Sequence, residues 1–193
     1  MEGIDFTACP RVPGLAYNGA NGKKIAVSFE SAVWILKFPP WAADKPNGLS
    51  YSNSCVSEHL GSTIFRLLVD GQSSLAELAP VFDCGSCLLP QADERIMRKI
   101  LMDEDELNAR IYTFPGSMVK VGGRKINYRD FIASHGEPEL DEALARLLPR
   151  IGALDFSALV SETPYLTEIQ RQFLKTYLNA RRERIFARDV YLT

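Results

Sequence analysis

The chain has 193 residues, 46% of them hydrophobic and 24% charged, and its 22 basic and 24 acidic side chains leave a formal net charge of -2. That length and balance suit an ordinary globular protein with one substantial core or two small lobes, and argue against disorder. The apolar runs are too short to cross a bilayer and there is no global basic field, so neither a membrane span nor direct nucleic-acid binding is predicted.

The start, Met1-Glu2-Gly3-Ile4-Asp5, has no basic region followed by an apolar one, and the expected location is the cytoplasm. Asn18 to Lys24 (NGANGKK) reads as a glycine-containing turn. Two β-rich runs follow, Lys24 to Phe29 and Ser31 to Phe38, joined tightly enough to predict a hairpin. Alternation along the second run puts Val33, Ile35 and Lys37 on one face and Trp34, Leu36 and Phe38 on the other. Pro39-Pro40 ends that strand, and a polar loop runs from Ala42 to Ser52. From Ser52 to Leu68, capping residues precede Val56, Leu60, Ile64, Leu67 and Leu68 at helical spacing, which predicts an amphipathic helix. Glu58 falls on a second face of it, with Ser54, Gly61, Ser62 and Phe65.

The stretch FDCGSCLLP, Phe82 to Pro90, offers two chemistries. Asp83 ends a short apolar run, Leu78 to Phe82, where a carboxylate often holds a divalent cation. Cys84 and Cys87 have the spacing of a redox dithiol or half a zinc site. Against the second, neither histidine, His59 or His135, partners the pair by spacing, and Leu88-Leu89-Pro90 is a poor helix start for a thioredoxin-like dithiol.

From Ala92 the pattern is mainly helical. Ala92 to Ile111 carries Ile96, Ile100, Leu101, Leu107 and Ile111; the segments Glu137 to Ile151 and Thr167 to Ala187 repeat the style. Between them, Met118 to Ile126 predicts a second hairpin turning at Gly122-Gly123, without the flanks of a phosphate-binding loop. Arg181, Arg182, Arg184 and Arg188 are predicted to form a solvated, salt-bridged last turn.

A glycine-containing turn, a strand lysine, a helix glutamate and a later aspartate are the parts of a nucleotide-kinase site: backbone N–H groups over phosphates, a cation on them, an anchor for that cation, and an acid for magnesium. Several blocks carry a family resemblance: YNGANGKKIAV, WILKFPP, LSYSNSCVSEHLGSTIF, LAPVFDCGSCLLP, RIYTFPGSMVKVGGRKINYRDFI and ETPYLTEIQRQFLKTYLNARRERI. Through them the chain resembles the HipA-like serine/threonine kinases, CtkA type. The resemblance implies an α+β fold of two kinase-like lobes, a reduced β-rich N-lobe and a mainly helical C-lobe. It implies that Asn18, Gly19, Ala20, Asn21 and Gly22 lie over the phosphates of ATP, that Lys37 contacts them, that Glu58 anchors Lys37, and that Asp83 holds Mg2+. A protein partner such as an antitoxin, or a second copy, is implied as well.

The departure from the family is the section that carries the adenine-binding hinge and the catalytic-loop Asp and Asn. Here Leu68 runs through Val69-Asp70-Gly71 almost directly to Leu78. Asp103 and Asn108 have the catalytic-loop spacing but follow Asp83, inside a run that reads as the acidic start of a helix. The expected organisation is a remnant N-lobe over 1–68, a splice region over 69–77 and a helical C-lobe over 78–193. The expected function is that of an internally deleted, catalytically impaired kinase that retains weak Mg-nucleotide binding; the alternative is a non-catalytic docking or dimerisation module built on the C-lobe.

Overall fold

The two β-rich runs of the N-terminal part pair as β1 (Lys23–Phe29) and β2 (Ala32–Phe38), antiparallel, with Val27 opposite Trp34 and Ala26 opposite Ile35. This computed structural model describes residues 4–14, 23–38, 54–69, 88–89, 92–113, 116–134 and 138–186. The predicted strand ending in Asp83 and the Cys84–Cys87 pair lie outside them. The chain divides into two units, Met1–His59 with Asp83–Asp93, and Leu60–Phe82 with Glu94–Thr193.

In the first unit, β1 is flanked on its outer edge by the segment around Arg11. The Val12 N–H donates to the Ala26 carbonyl and the Ser28 N–H to the Pro10 carbonyl, both at 2.9 Å. Just before that segment, the Thr7 hydroxyl and N–H donate to the Asp5 carboxylate at 2.6 and 2.9 Å. The hydroxyl bond first, then the N–H bond, hold that carboxyl below its usual range. This turn sets the Phe6 ring 5.5 Å from Phe29 and 5.6 Å from Trp34, an aromatic cluster on one face of the hairpin. On the other face Val33 and Ile35 remain 54% and 49% exposed.

The helix predicted from Ser52 forms as α1 (Ser54–Val69). Its buried positions differ from the expected stripe. Leu60 is buried, but Leu67 is 45% exposed, and Ser57 is wholly buried with its hydroxyl accepting the Leu88 N–H at 2.9 Å. A buried serine is tolerated because that bond satisfies it.

The second unit is helical, and α7 (Glu168–Ile185) runs through its core with Ile169, Phe173, Leu174, Tyr177, Leu178, Ala180 and Ile185 buried. Thr167 and Gln170 form a reciprocal capping box that starts it, with each side chain bonded to the other's backbone N–H. Against α7 pack α2 (Glu94–Met102) and α6 (Phe156–Glu162). The run from Ala92 to Ile111, read from sequence as one helical pattern, breaks at Asp103. That residue is extended, and its carboxylate accepts from the Asp105 and Glu106 N–H groups, starting α3 (Glu104–Asn108). An aspartate that bonds the backbone two and three residues on favours a cap over a helix interior, which is why the pattern is interrupted there. A π-helical turn, Ala109–Thr113, follows.

The second hairpin forms as β3 (Lys120–Val121) and β4 (Arg124–Lys125), with Gly122 and Gly123 at φ of 56° and 80°. Two left-handed residues are what a tight hairpin turn requires, so Gly-Gly here is a turn and nothing more. Next in the chain are α4 (Tyr128–Ile132) and α5 (Pro138–Ala153). From α5, Arg150 donates to the Leu68 carbonyl at 2.7 Å, a cation at the C-terminal end of α1. Among the described residues no helix is long and apolar enough to cross a membrane.

Candidate functional site

Two of the residue groups that would form a nucleotide site fall on described elements. Lys37 lies near the end of β2, opposite Lys24 in the ladder. Glu58 lies in the first turns of α1, half-buried, next to the buried Ser57. Both belong to the first unit. Asn18, Gly19, Ala20, Asn21, Gly22 and Asp83 lie outside the described residues. Among the described residues, no group of three or more His, Cys, Asp or Glu gathers in a way that could hold a metal ion.

The alternative catalytic-loop pair is accounted for by packing. Asp103 is occupied as the cap of α3. The Asn108 amide oxygen accepts from Arg184 at 2.6 Å, and the same guanidinium bonds Glu104. One arginine near the end of α7 therefore ties down both ends of α3. Asp-x-x-x-x-Asn spacing here serves a helix start and an anchor for α7.

That bond also revises the reading of the arginine cluster. Arg182 donates to the Leu154 carbonyl at 2.9 Å and to the Asn179 amide oxygen at 2.8 Å, with its guanidinium 5.4 Å from the Phe156 ring centre. Arg181 bonds the Tyr177 hydroxyl at 2.8 Å and lies over the same ring. That hydroxyl in turn donates to the Arg110 carbonyl in the π-helical turn. Arg181, Arg182 and Arg184 are half-buried staples where a solvated last turn was expected, while the expected salt bridging is present between Arg184 and Glu104; Arg188 lies outside the described residues. The partners Asn108, Glu104 and Leu154 are far away in sequence, which is why local pattern did not reveal them.

No protein-family profile matches the chain. A serine/threonine-protein kinase, CtkA of Helicobacter pylori, is 27% identical over 283 residues, a match that takes in 96% of this chain and 87% of the kinase. The crystal structure of a Helicobacter pylori proinflammatory kinase CtkA superimposes with a TM-score of 0.79 at 27% identity, covering 97% of this chain and 96% of the other. The fold is HipA/CtkA-like. Within it the N-terminal region is β-rich and the C-terminal region helical, as the sequence resemblance implied. The relationship to CtkA is one of homology across nearly the whole chain.

Proposed function

We propose that the chain is an internally deleted relative of a CtkA-type, ATP-dependent serine/threonine kinase, catalytically impaired and retaining weak Mg-nucleotide binding. One observation carries the reading. The match to CtkA runs over 283 positions although this chain has 193 residues, so at least the difference of 90 has no counterpart here. That 96% of the chain takes part supports an internal shortfall in this reading. The abrupt passage from Leu68 to Leu78 is where we put it, with a remnant N-lobe over 1–68, the join over 69–77 and the C-lobe over 78–193.

In this reading the Asn18 to Gly22 turn offers backbone N–H groups to the phosphates, and Lys37 pairs with their oxygens. Glu58 holds Lys37, and Asp83 takes the Mg2+, which neutralises charge on the bound phosphates. A lysine on a strand and a half-buried glutamate on a helix suit those tasks. What the chain lacks is a base. Asp103 and Asn108 have the spacing but are committed to capping α3 and to bonding Arg184. Without a base to orient the acceptor hydroxyl and without a hinge for adenine, both substrates lose positioning, and positioning is most of what a kinase supplies. The expected location is the cytoplasm. A protein partner or antitoxin would dock on the C-lobe, where Met118 is exposed.

Calorimetric titration of the purified chain with ATP and magnesium tests this. Weak binding is expected, reduced at least tenfold by Lys37→Ala and by Asp83→Ala. Phosphorylation of itself or of a generic protein, at a rate that those substitutions abolish, would overturn the impaired reading. No binding by a folded chain would overturn the nucleotide site and leave the docking role.

A further inference from the structure

The hairpin of the first unit has two edges, and the chain closes one of them. On β1, the Ala26 carbonyl and the Ser28 N–H are bonded by the segment at Pro10 to Val12. Those residues therefore point their backbone groups away from β2. In an antiparallel ladder, residues directly opposite share that orientation, so Ile35 and Val33, the partners of Ala26 and Ser28, point theirs outward from the other edge. Lys37, two residues on, follows the same alternation. Among the described residues no strand pairs with this outer edge of β2.

The edge has a symmetry of its own. Ile35 is the central residue of Ala32–Phe38, with Val33 and Lys37 placed equally on either side of it. We propose that β2 pairs antiparallel with β2 of a second copy of this chain, across a two-fold axis at Ile35, to make one continuous sheet through both hairpins. In that register Ile35 faces Ile35, and Val33 faces Lys37 on each side. All outward groups find partners, giving roughly six backbone hydrogen bonds. The faces match too, since the half-exposed Ile35 would come beside its copy, with the half-exposed Val33 diagonal to it. Charge does not oppose the pairing, because the two Lys37 positions lie about 14 Å apart at opposite ends of the ladder, beyond a Debye length of about 8 Å at physiological salt. The strand also has no proline or bulge to block an edge, and no charge other than Lys37. An isologous interface closes on itself, so the product is a dimer and not a fibre.

Sedimentation equilibrium of the full chain over a range of concentrations tests the inference, beside two variants. Ile35→Lys places like charges directly opposite each other on a half-exposed position, so the chain still folds while self-association weakens at least tenfold and recovers in high salt. Met102→Gln, on the exposed surface of α2, leaves association unchanged. In a third variant, Ile35→Cys, oxidation gives a 35-to-35 cross-linked peptide by mass spectrometry, because facing residues of a bonded pair lie within disulfide reach. A strict monomer at all concentrations overturns the proposal. So does a dimer that survives Ile35→Lys unchanged, or one that Met102→Gln dissolves. The readout needs no nucleotide, so it stands or fails separately from the kinase reading.

Discussion

Tyr165 shows how a single residue can work against the structure that holds it. It follows Pro164 in the loop between α6 and α7, with φ at 61° and 93% of its surface exposed. A proline followed by a left-handed residue is the pattern of a turn that calls for glycine. The positions around it leave little freedom: Thr163 is buried and donates to the Leu159 carbonyl, Leu166 is buried, and Thr167 caps α7. Left-handed backbone costs an ordinary residue about 1–2 kcal/mol, and glycine's greater freedom when unfolded returns part of that. Tyr165→Gly is therefore expected to stabilise the chain by about 0.5–1 kcal/mol, read as a higher urea midpoint with an unchanged slope. An unchanged or lowered midpoint would mean that the ring contributes more than its exposure suggests.

At the scale of elements, the two hairpins solve the same turn with different residues. Gly122 and Gly123 take left-handed backbone without cost, and the sequence advertised that hairpin through them. Glu30 and Ser31 are also left-handed, at φ of 48° and 64°, and neither residue announces a turn. The first hairpin was legible only because of the β-branched and aromatic runs on either side. Changing Glu30→Asn and Ser31→Gly together is expected to raise stability by about 1 kcal/mol, measured by thermal unfolding of the intact chain. A gain here would show that the strands force the turn, and no gain would place the control in the turn itself. The helices were legible from their period, and the acidic run from Asp103 read as a helix start, as α3 is. What the period did not show is that the pattern from Ala92 stops before it, where the Asp105 and Glu106 N–H groups bond the Asp103 carboxylate.

At the scale of the whole molecule, tertiary bonds decide whether a catalytic-loop spacing is chemistry or packing. Asn108 receives Arg184 from 76 residues further along the chain. A hydrogen bond with one charged partner contributes about 1.5–3 kcal/mol. Asn108→Ala is accordingly expected to lower unfolding free energy by that order while leaving the affinity for Mg-ATP untouched. A loss of nucleotide affinity with unchanged stability would return the residue to a catalytic loop. The arginines of α7 follow the same logic, for no local rule places Leu154 or Asn108 beside them.

The sequence by itself determined the β-rich start, the helical remainder, the kinase resemblance, and the element types that carry Lys37 and Glu58, because period, branching and turn residues act within a few positions of themselves. Tertiary structure decided that Ser57 and not Leu67 is buried on α1, that the arginines are staples, and that Asp103 and Asn108 hold α3. Burial and long-range bonding depend on what packs against a residue, and that partner is absent from any local window of sequence.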